Sequence, residues 1–88
     1  MKKLVLCATA ALVLGSSAIA AKAAVVCRLN PYGDNFLSLR SGPGTDFSEI
    51  ARLDPDTGLS VYGGRGAWLR VQAGDLVGWV YRRYVCGR

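Results

Sequence analysis

Residues 37–45 read Leu37-Ser38-Leu39-Arg40-Ser41-Gly42-Pro43-Gly44-Thr45, a short alternating segment followed by a turn. The apolar Leu37 and Leu39 alternate with polar residues, which is the pattern of a half-buried β-strand. The turn follows because Pro43 fixes its own φ and the flanking glycines can take φ values that other residues avoid. The segment therefore predicts a short strand that ends in a sharp reversal of the chain.

Two later segments also have the character of strands. Residues 66–71 read Gly-Ala-Trp-Leu-Arg-Val, so Leu69 and Val71 share one face of a strand while Trp68 and Arg70 share the other. We expect Leu69 and Val71 in the core and Trp68 on the outer face, partly exposed. Residues 76–80 read Leu-Val-Gly-Trp-Val, where Gly78 leaves room for a neighbouring ring or backbone.

Short segments of this kind recur about every ten residues between turn signals, a spacing that favours a small β-barrel or sandwich. The sequence therefore predicts an all-β fold of roughly five to six short strands. The first strand is expected at residues 25–29, around Cys27. Residues 82–84, Arg-Arg-Tyr, suggest a single tight helical turn before a last short strand.

The first 23 residues have the order of a secretory signal peptide. Lys2 and Lys3 precede an apolar run over residues 4–14, and small-residue cleavage patterns end at Ala20 and at Ala23. The run is shorter than the roughly 20 residues that span a bilayer, so no stable membrane span is expected after cleavage. We expect cleavage after Ala23, with Ala20 the close alternative, and a secreted or periplasmic domain over residues 24–88.

Cys27 and Cys86 lie near the two ends of this domain, and Cys7 would leave with the signal. Two cysteines in an oxidising compartment allow a single pairing, so we expect a Cys27–Cys86 disulfide between the first and last strands. Two free buried thiols are the alternative. A metal site is not expected, because two sulfurs fall short of the usual four zinc ligands and the chain has no histidine.

The charge and the missing residue types limit the possible functions. Without the three signal lysines, eight arginines face six acidic residues, which leaves a net charge near +2. That balance does not favour a nucleic-acid partner, for which a clustered basic face is expected. The lack of histidine, and of any serine in a Gly-x-Ser-x-Gly setting, indicates that the chain is not an enzyme. No cofactor is expected.

Three segments in order resemble the bacterial Src-homology-3 (SH3) domain of the extracellular or periplasmic type. They are residues 37–45, residues 66–71, and Gly78-Trp79-Val80 followed by Tyr84-Val85. The resemblance covers residues 36–85 and implies a small SH3-like barrel that serves as a binding module. It does not extend to proline-rich ligands, since an Ala-Leu-Tyr-Asp-Tyr segment is missing and Tyr81 stands where eukaryotic SH3 domains have a proline.

The resemblance implies cell-wall peptide, glycan or an envelope protein as the partner. The alternative is a small secreted interaction factor, such as an inhibitor or effector, that acts on an extracellular target. We expect a shallow groove centred on three aromatic residues and rimmed by three arginines, namely Trp68, Tyr81, Tyr84, Arg70, Arg82 and Arg83. The competing interpretation is that these aromatic rings only pack the barrel and that the arginines form a solvated surface.

Overall fold

The computed structural model describes residues 20–87, so the predicted signal peptide lies outside the described part except for its last four residues. Seven strands and one short 3₁₀ helix, η1, make up this part of the chain. They are β1 (Lys22–Val26), β2 (Leu37–Arg40), β3 (Glu49–Leu53), β4 (Gly58–Arg65), β5 (Trp68–Ala73), β6 (Leu76–Tyr81), η1 (Arg82–Tyr84) and β7 (Val85–Cys86).

All the strand pairs are antiparallel, and the strands form one sheet in the order β3-β2-β6-β5-β4-β1-β7. The all-β prediction is confirmed, as is the helical turn at η1. The structure has seven strands where five to six were expected, and the last short strand predicted after the helical turn is the two-residue β7. Sequential strands pair as hairpins in β2–β3, β4–β5 and β5–β6.

The core consists of the inward residues of these strands. Leu37 and Leu39 of β2 are 4% and 0% exposed, and Leu69 and Val71 of β5 are 3% and 0% exposed, as the alternation predicted. Val80 of β6 is also fully buried against them. Burial of each such side chain contributes about 1.5–3 kcal/mol relative to exposure.

The first strand begins and ends earlier than residues 25–29, where the sequence placed it. Ala24 and Val26 are its buried residues, while Lys22 and Ala23 already pair with Val61 and Ser60 of β4. The strand ends because Arg28 has a φ of +59°, a left-handed conformation that a strand cannot contain. The observed strand therefore lies about three residues before the expected one, because a positive φ at an arginine leaves no pattern in the sequence from which its end could be predicted.

The glycines at two positions are required by close approach. A Cβ at position 78 would lie 2.6 Å from the carbonyl oxygen of Arg40, where β6 pairs with β2. The group that approaches Gly78 closely, as expected from the sequence, is therefore a backbone carbonyl and not a ring. A Cβ at position 42 would lie 2.4 Å from the Phe47 ring. Neither Gly42 nor Gly44 has a positive φ, so the turn after β2 needs Gly42 for space and not for backbone conformation.

The two ends of the described chain are held together. Val25 and Val26 of β1 pair with Cys86 and Val85 of β7. Cys27 and Cys86 form a disulfide with an S–S distance of 2.03 Å. The backbone N–H of Cys27 also donates to the carbonyl of Tyr84, 2.9 Å away. These bonds place the loop that begins at Arg28 beside η1.

Candidate functional site

Three aromatic side chains form a continuous cluster on the outer side of the sheet. Trp68 at the start of β5 lies opposite Tyr81 at the end of β6, and their rings meet edge to face with centroids 5.5 Å apart. Tyr84 of η1 extends the cluster, with its ring centroid 6.0 Å from that of Tyr81. Because η1 follows β6 directly, the helical turn brings Tyr84 back beside Tyr81. We call these three residues the aromatic cluster.

The aromatic cluster lines one side of a groove of about 750 Å³. Tyr81 is 40% exposed, and Trp68 and Tyr84 are partly buried. Partly exposed rings held in fixed positions can bury further apolar area against a ligand at little cost in conformational entropy. The structure thus brings together the three aromatic residues that the sequence analysis placed in a groove.

The loop between β1 and β2 forms another part of the groove wall. Arg28, Asp34 and Phe36 are among its lining residues. The loop turns at Asn30, whose carbonyl accepts from the N–H of Gly33 and whose side-chain oxygen accepts from the N–H of Tyr32. This wall therefore has internal hydrogen bonds, and its lining residues present both signs of charge to the groove.

Polar side chains of β2 and β3 complete the wall. The Ser38 hydroxyl donates to the carboxylate of Glu49, and Nε of Arg52 donates to the same carboxylate at 2.9 Å. These two hydrogen bonds, that of Ser38 first, lower the pKa of Glu49, which keeps it ionised beside the groove. The Arg52 guanidinium also lies 4.3 Å from the centroid of the Phe36 ring, in a cation–π contact.

Arg40 also belongs to the groove wall, and hydrogen bonds hold its side chain in place. Its Nη1 donates to the carbonyls of Phe47 at 3.0 Å and Thr45 at 3.5 Å. The side chain therefore braces the turn between β2 and β3 and lines the groove at the same time. On β2, Ser38 and Arg40 are the polar residues that alternate with the buried leucines, so the alternation already placed them on the outer face.

The three arginines named in the sequence analysis lie in different places. Arg82 and Arg83 line a second depression that adjoins the groove and shares Arg28 and Tyr81 with it. Arg70 lies opposite Trp79 on β6 and is not among the residues lining either depression in the described part of the chain. The structure thus groups Arg82 and Arg83 with the aromatic cluster and leaves Arg70 apart.

Several lining residues were not expected from the sequence. Asp34 lies in a loop with no periodic signal, and Glu49 follows a polar stretch that carries no motif. Arg28 lines both depressions and has a left-handed backbone. The alternation of residues 36–40 offered a signal for Phe36, Ser38 and Arg40, but nothing in the sequence indicated the other three.

Residues 20–87 contain neither a metal-binding cluster nor a membrane-spanning helix. Within residues 20–87, no three His, Cys, Asp or Glu side chains come together as a group that could hold a metal ion. No helix in that range is long and apolar enough to cross a bilayer. The groove offers a ligand exposed rings, fixed arginines and an ionised carboxylate.

The comparison with protein families agrees with this architecture. Residues 35–85 match the family model of the bacterial SH3 domain, which covers more than half of the chain. The chain therefore belongs to the bacterial SH3 domain family, and its all-β fold is an SH3-like domain. A search of curated proteins found no match. Family membership identifies the domain as a binding module and leaves its ligand to be determined.

Proposed function

We propose that this protein is an exported binding module of the bacterial cell envelope, and that the groove at the aromatic cluster holds its ligand. The ligand class we propose is cell-wall peptide or glycan, or an envelope protein that presents such a segment. The observation that supports this proposal is the continuous row of Trp68, Tyr81 and Tyr84 along one side of a groove. Rigid aromatic rings of this kind are the residues that most often dominate binding energy.

The groove suits a flexible, mixed-polarity ligand. The aromatic rings offer apolar faces to sugar rings or peptide side chains. The rest of the groove wall offers charged groups, which are the carboxylates of Asp34 and Glu49 and the guanidinium groups of Arg28 and Arg40. Charges of both signs around an apolar strip give orientation and specificity, while the rings give most of the affinity. Long-range attraction to the mixed-charge groove is screened by salt, but ring contacts are not.

Export is part of the proposal. The signal-like residues 1–23 and the disulfide between Cys27 and Cys86 support it, because disulfides persist in the periplasm and outside the cell. The domain that the structure describes would contribute binding. It would work either as a wall-associated adaptor or as a domain that accompanies a separate partner.

Retention on purified peptidoglycan tests the proposed ligand. We expect the folded protein to sediment with peptidoglycan, with salt weakening the retention without abolishing it. Tyr81→Ala should reduce retention strongly. Tyr62→Ala is the matched control, because Tyr62 is similarly exposed, at 37% against 40% for Tyr81, and lies on β4 outside the groove.

The two candidate functions give different results in this experiment. No retention at any salt concentration, combined with capture of a single extracellular protein that Tyr81→Ala abolishes, would favour the alternative of an inhibitor or effector. Equal retention of the Tyr81→Ala and wild-type proteins would contradict the groove as the binding site.

A further inference from the structure

A basic depression continues the groove beyond Tyr81. It is lined by Arg28, Ala67, Tyr81, Arg82, Arg83 and Val85, and we call it the arginine pocket. Arg28 and Tyr81 line both the arginine pocket and the groove, so a ligand that lies along the aromatic cluster can reach it. Three of its six lining residues are arginines, and none of the six is acidic.

Arg82 is fixed in this pocket by the hairpin between β4 and β5. Its Nε and Nη2 donate to the carbonyl of Gly66 at 3.2 and 3.0 Å. Room for the guanidinium exists because position 64 is glycine, where a Cβ would lie 2.9 Å from Nη2. A guanidinium has five N–H donors, so the two bonds to Gly66 hold the group still and leave others for an anion.

Arg28 of the arginine pocket is also held in place, by a hydrogen bond to the backbone of η1. Its Nη1 donates to the carbonyl of Arg83 at 3.0 Å, across 55 positions of sequence. Its backbone has a φ of +59°, a costly conformation for arginine that persists where the surroundings enforce it. Here the neighbouring Cys27–Cys86 disulfide anchors the loop. Residues in such conformations concentrate at functional sites.

The arginines of the pocket form no salt bridge within the described chain. Among residues 20–87, the salt bridge that forms is between Arg52 and Glu49. Arginines held in place by backbone carbonyls lose less entropy on binding than mobile surface arginines do. Their planar donors match a carboxylate, which can accept two parallel N–H bonds.

We propose that the arginine pocket binds the free C-terminal carboxylate of a peptide whose preceding residues lie along the aromatic cluster. This inference rests on the proposed function and names the part of the ligand that orients it in the groove. A peptide fits better than a bare anion, because Tyr81 lines both the pocket and the groove and the Tyr84 ring lies next to it, with centroids 6.0 Å apart. Asp34 and Glu49 also line the groove, so their carboxylates can pair with an amine of the same peptide.

A matched pair of peptides tests the inference. The probe is the stem tetrapeptide of peptidoglycan, prepared as the free acid and as the C-terminal amide, with affinity measured by calorimetry. Loss of a hydrogen-bonded charge contact weakens binding by about tenfold or more, so the amide should bind at least that much more weakly. Arg82→Gln should lower the affinity for the acid toward that for the amide and change the affinity for the amide little.

The control variant is Arg65→Gln. Arg65 is exposed on β4 and is not among the residues lining the groove or the arginine pocket, so both affinities should stay at wild-type values. Circular dichroism verifies that each variant is folded. If Arg82→Gln does not fold, Arg83→Gln is used in its place. Arg28→Asn is a further variant, since asparagine tolerates a positive φ.

The outcomes separate the two proposals. Equal binding of acid and amide, with both weakened by Tyr81→Ala, would overturn the carboxylate pocket and leave the groove as the binding site. Binding to intact peptidoglycan but to neither peptide would also overturn the carboxylate pocket. Binding to neither the peptides nor peptidoglycan would overturn the proposed function as well. Preference for the acid that Arg82→Gln abolishes would support both proposals.

Discussion

Trp68 and Tyr81 meet edge to face across the β5–β6 hairpin, with ring centroids 5.5 Å apart and planes inclined at 64°. The pair lies on the outer face, while the neighbouring Leu69 and Val80 point into the core. The same two strands therefore provide core packing on one side and the proposed ligand surface on the other. This separation makes it possible to change the site without removing the core.

Trp68→Ala should weaken binding to peptidoglycan by about tenfold or more, because an aromatic anchor is lost. We expect the domain to remain folded and to lose only about 1–2 kcal/mol of unfolding free energy, the scale of an aromatic pair and partial burial. Trp79→Ala is the control, because Trp79 shares the outer face of the sheet but is not among the residues that line the groove. Binding is measured by retention and stability by urea unfolding.

The opposite pattern would assign Trp68 to the core. If Trp68→Ala leaves only a small folded fraction, and that fraction binds as the wild type does, the ring stabilises the barrel and does not contact ligand. If Trp79→Ala weakens binding as much as Trp68→Ala does, the ligand covers more of the outer face than the groove alone.

Gly78→Ala should lower the free energy of unfolding by about 1–3 kcal/mol, the usual cost of overpacking. The added Cβ would lie 2.6 Å from the Arg40 carbonyl and 2.9 Å from Leu39 Cγ, so β6 and β2 must separate. Gly63→Ala in β4 is the matched control, since a Cβ there would meet nothing within 4 Å. Urea midpoints of the two variants check the prediction, and a Gly78→Ala midpoint equal to that of Gly63→Ala would contradict it.

The sequence predicted the buried face of the sheet better than it predicted the groove. Leu37, Leu39, Leu69 and Val71 were assigned to the core because alternation depends only on local geometry, and all four are buried. Arg28 was missed because a left-handed arginine has no sequence signature. Glu49 was missed because its place beside the groove depends on the pairing of β3 with β2 and on a bulge between Leu39 and Arg40, which are long-range features.

The disulfide should carry much of the stability of so small a domain. Replacing both Cys27 and Cys86 by serine should lower the free energy of unfolding by about 2–5 kcal/mol, the usual cost of removing a disulfide from a small secreted domain. The closed loop spans a sequence separation of 59, and the entropy that it removes from the unfolded chain grows with loop length. Urea unfolding with and without reductant measures the effect. Two reactive thiols in unreduced exported protein would show that the bond does not form.

Acid should weaken the contact between β2 and β3. The pKa of Glu49 is lowered in the folded protein, so its hydrogen bonds to Ser38 and Arg52 stabilise the fold fully above its ordinary pKa of 4.5 and are lost as pH falls through the folded value. NMR titration of the Glu49 side chain should give a pKa below 4.5. Ser38→Ala should raise it, because Ser38 is the larger cause. An unchanged pKa in Ser38→Ala would contradict this assignment.

The position of the signal cleavage should decide how much of β1 the mature protein keeps. Lys22 and Ala23 pair with Val61 and Ser60, so a cut after Ala23 would remove two residue pairs from the β1–β4 ladder, whereas a cut after Ala20 would keep them. At about 0.5–1.5 kcal/mol for each hydrogen bond, protein that starts at Ala21 should be more stable than protein that starts at Ala24 by about 1–3 kcal/mol. The intact mass of the exported protein decides between the two sites: the expected cut after Ala23 gives a first residue of Ala24, and a first residue of Ala21 would assign the cut to the alternative, Ala20. Urea unfolding of the two purified forms provides the control, since equal stabilities would show that the first two pairs of β1 contribute nothing. An exported mass that retains residues 1–14 would contradict cleavage altogether.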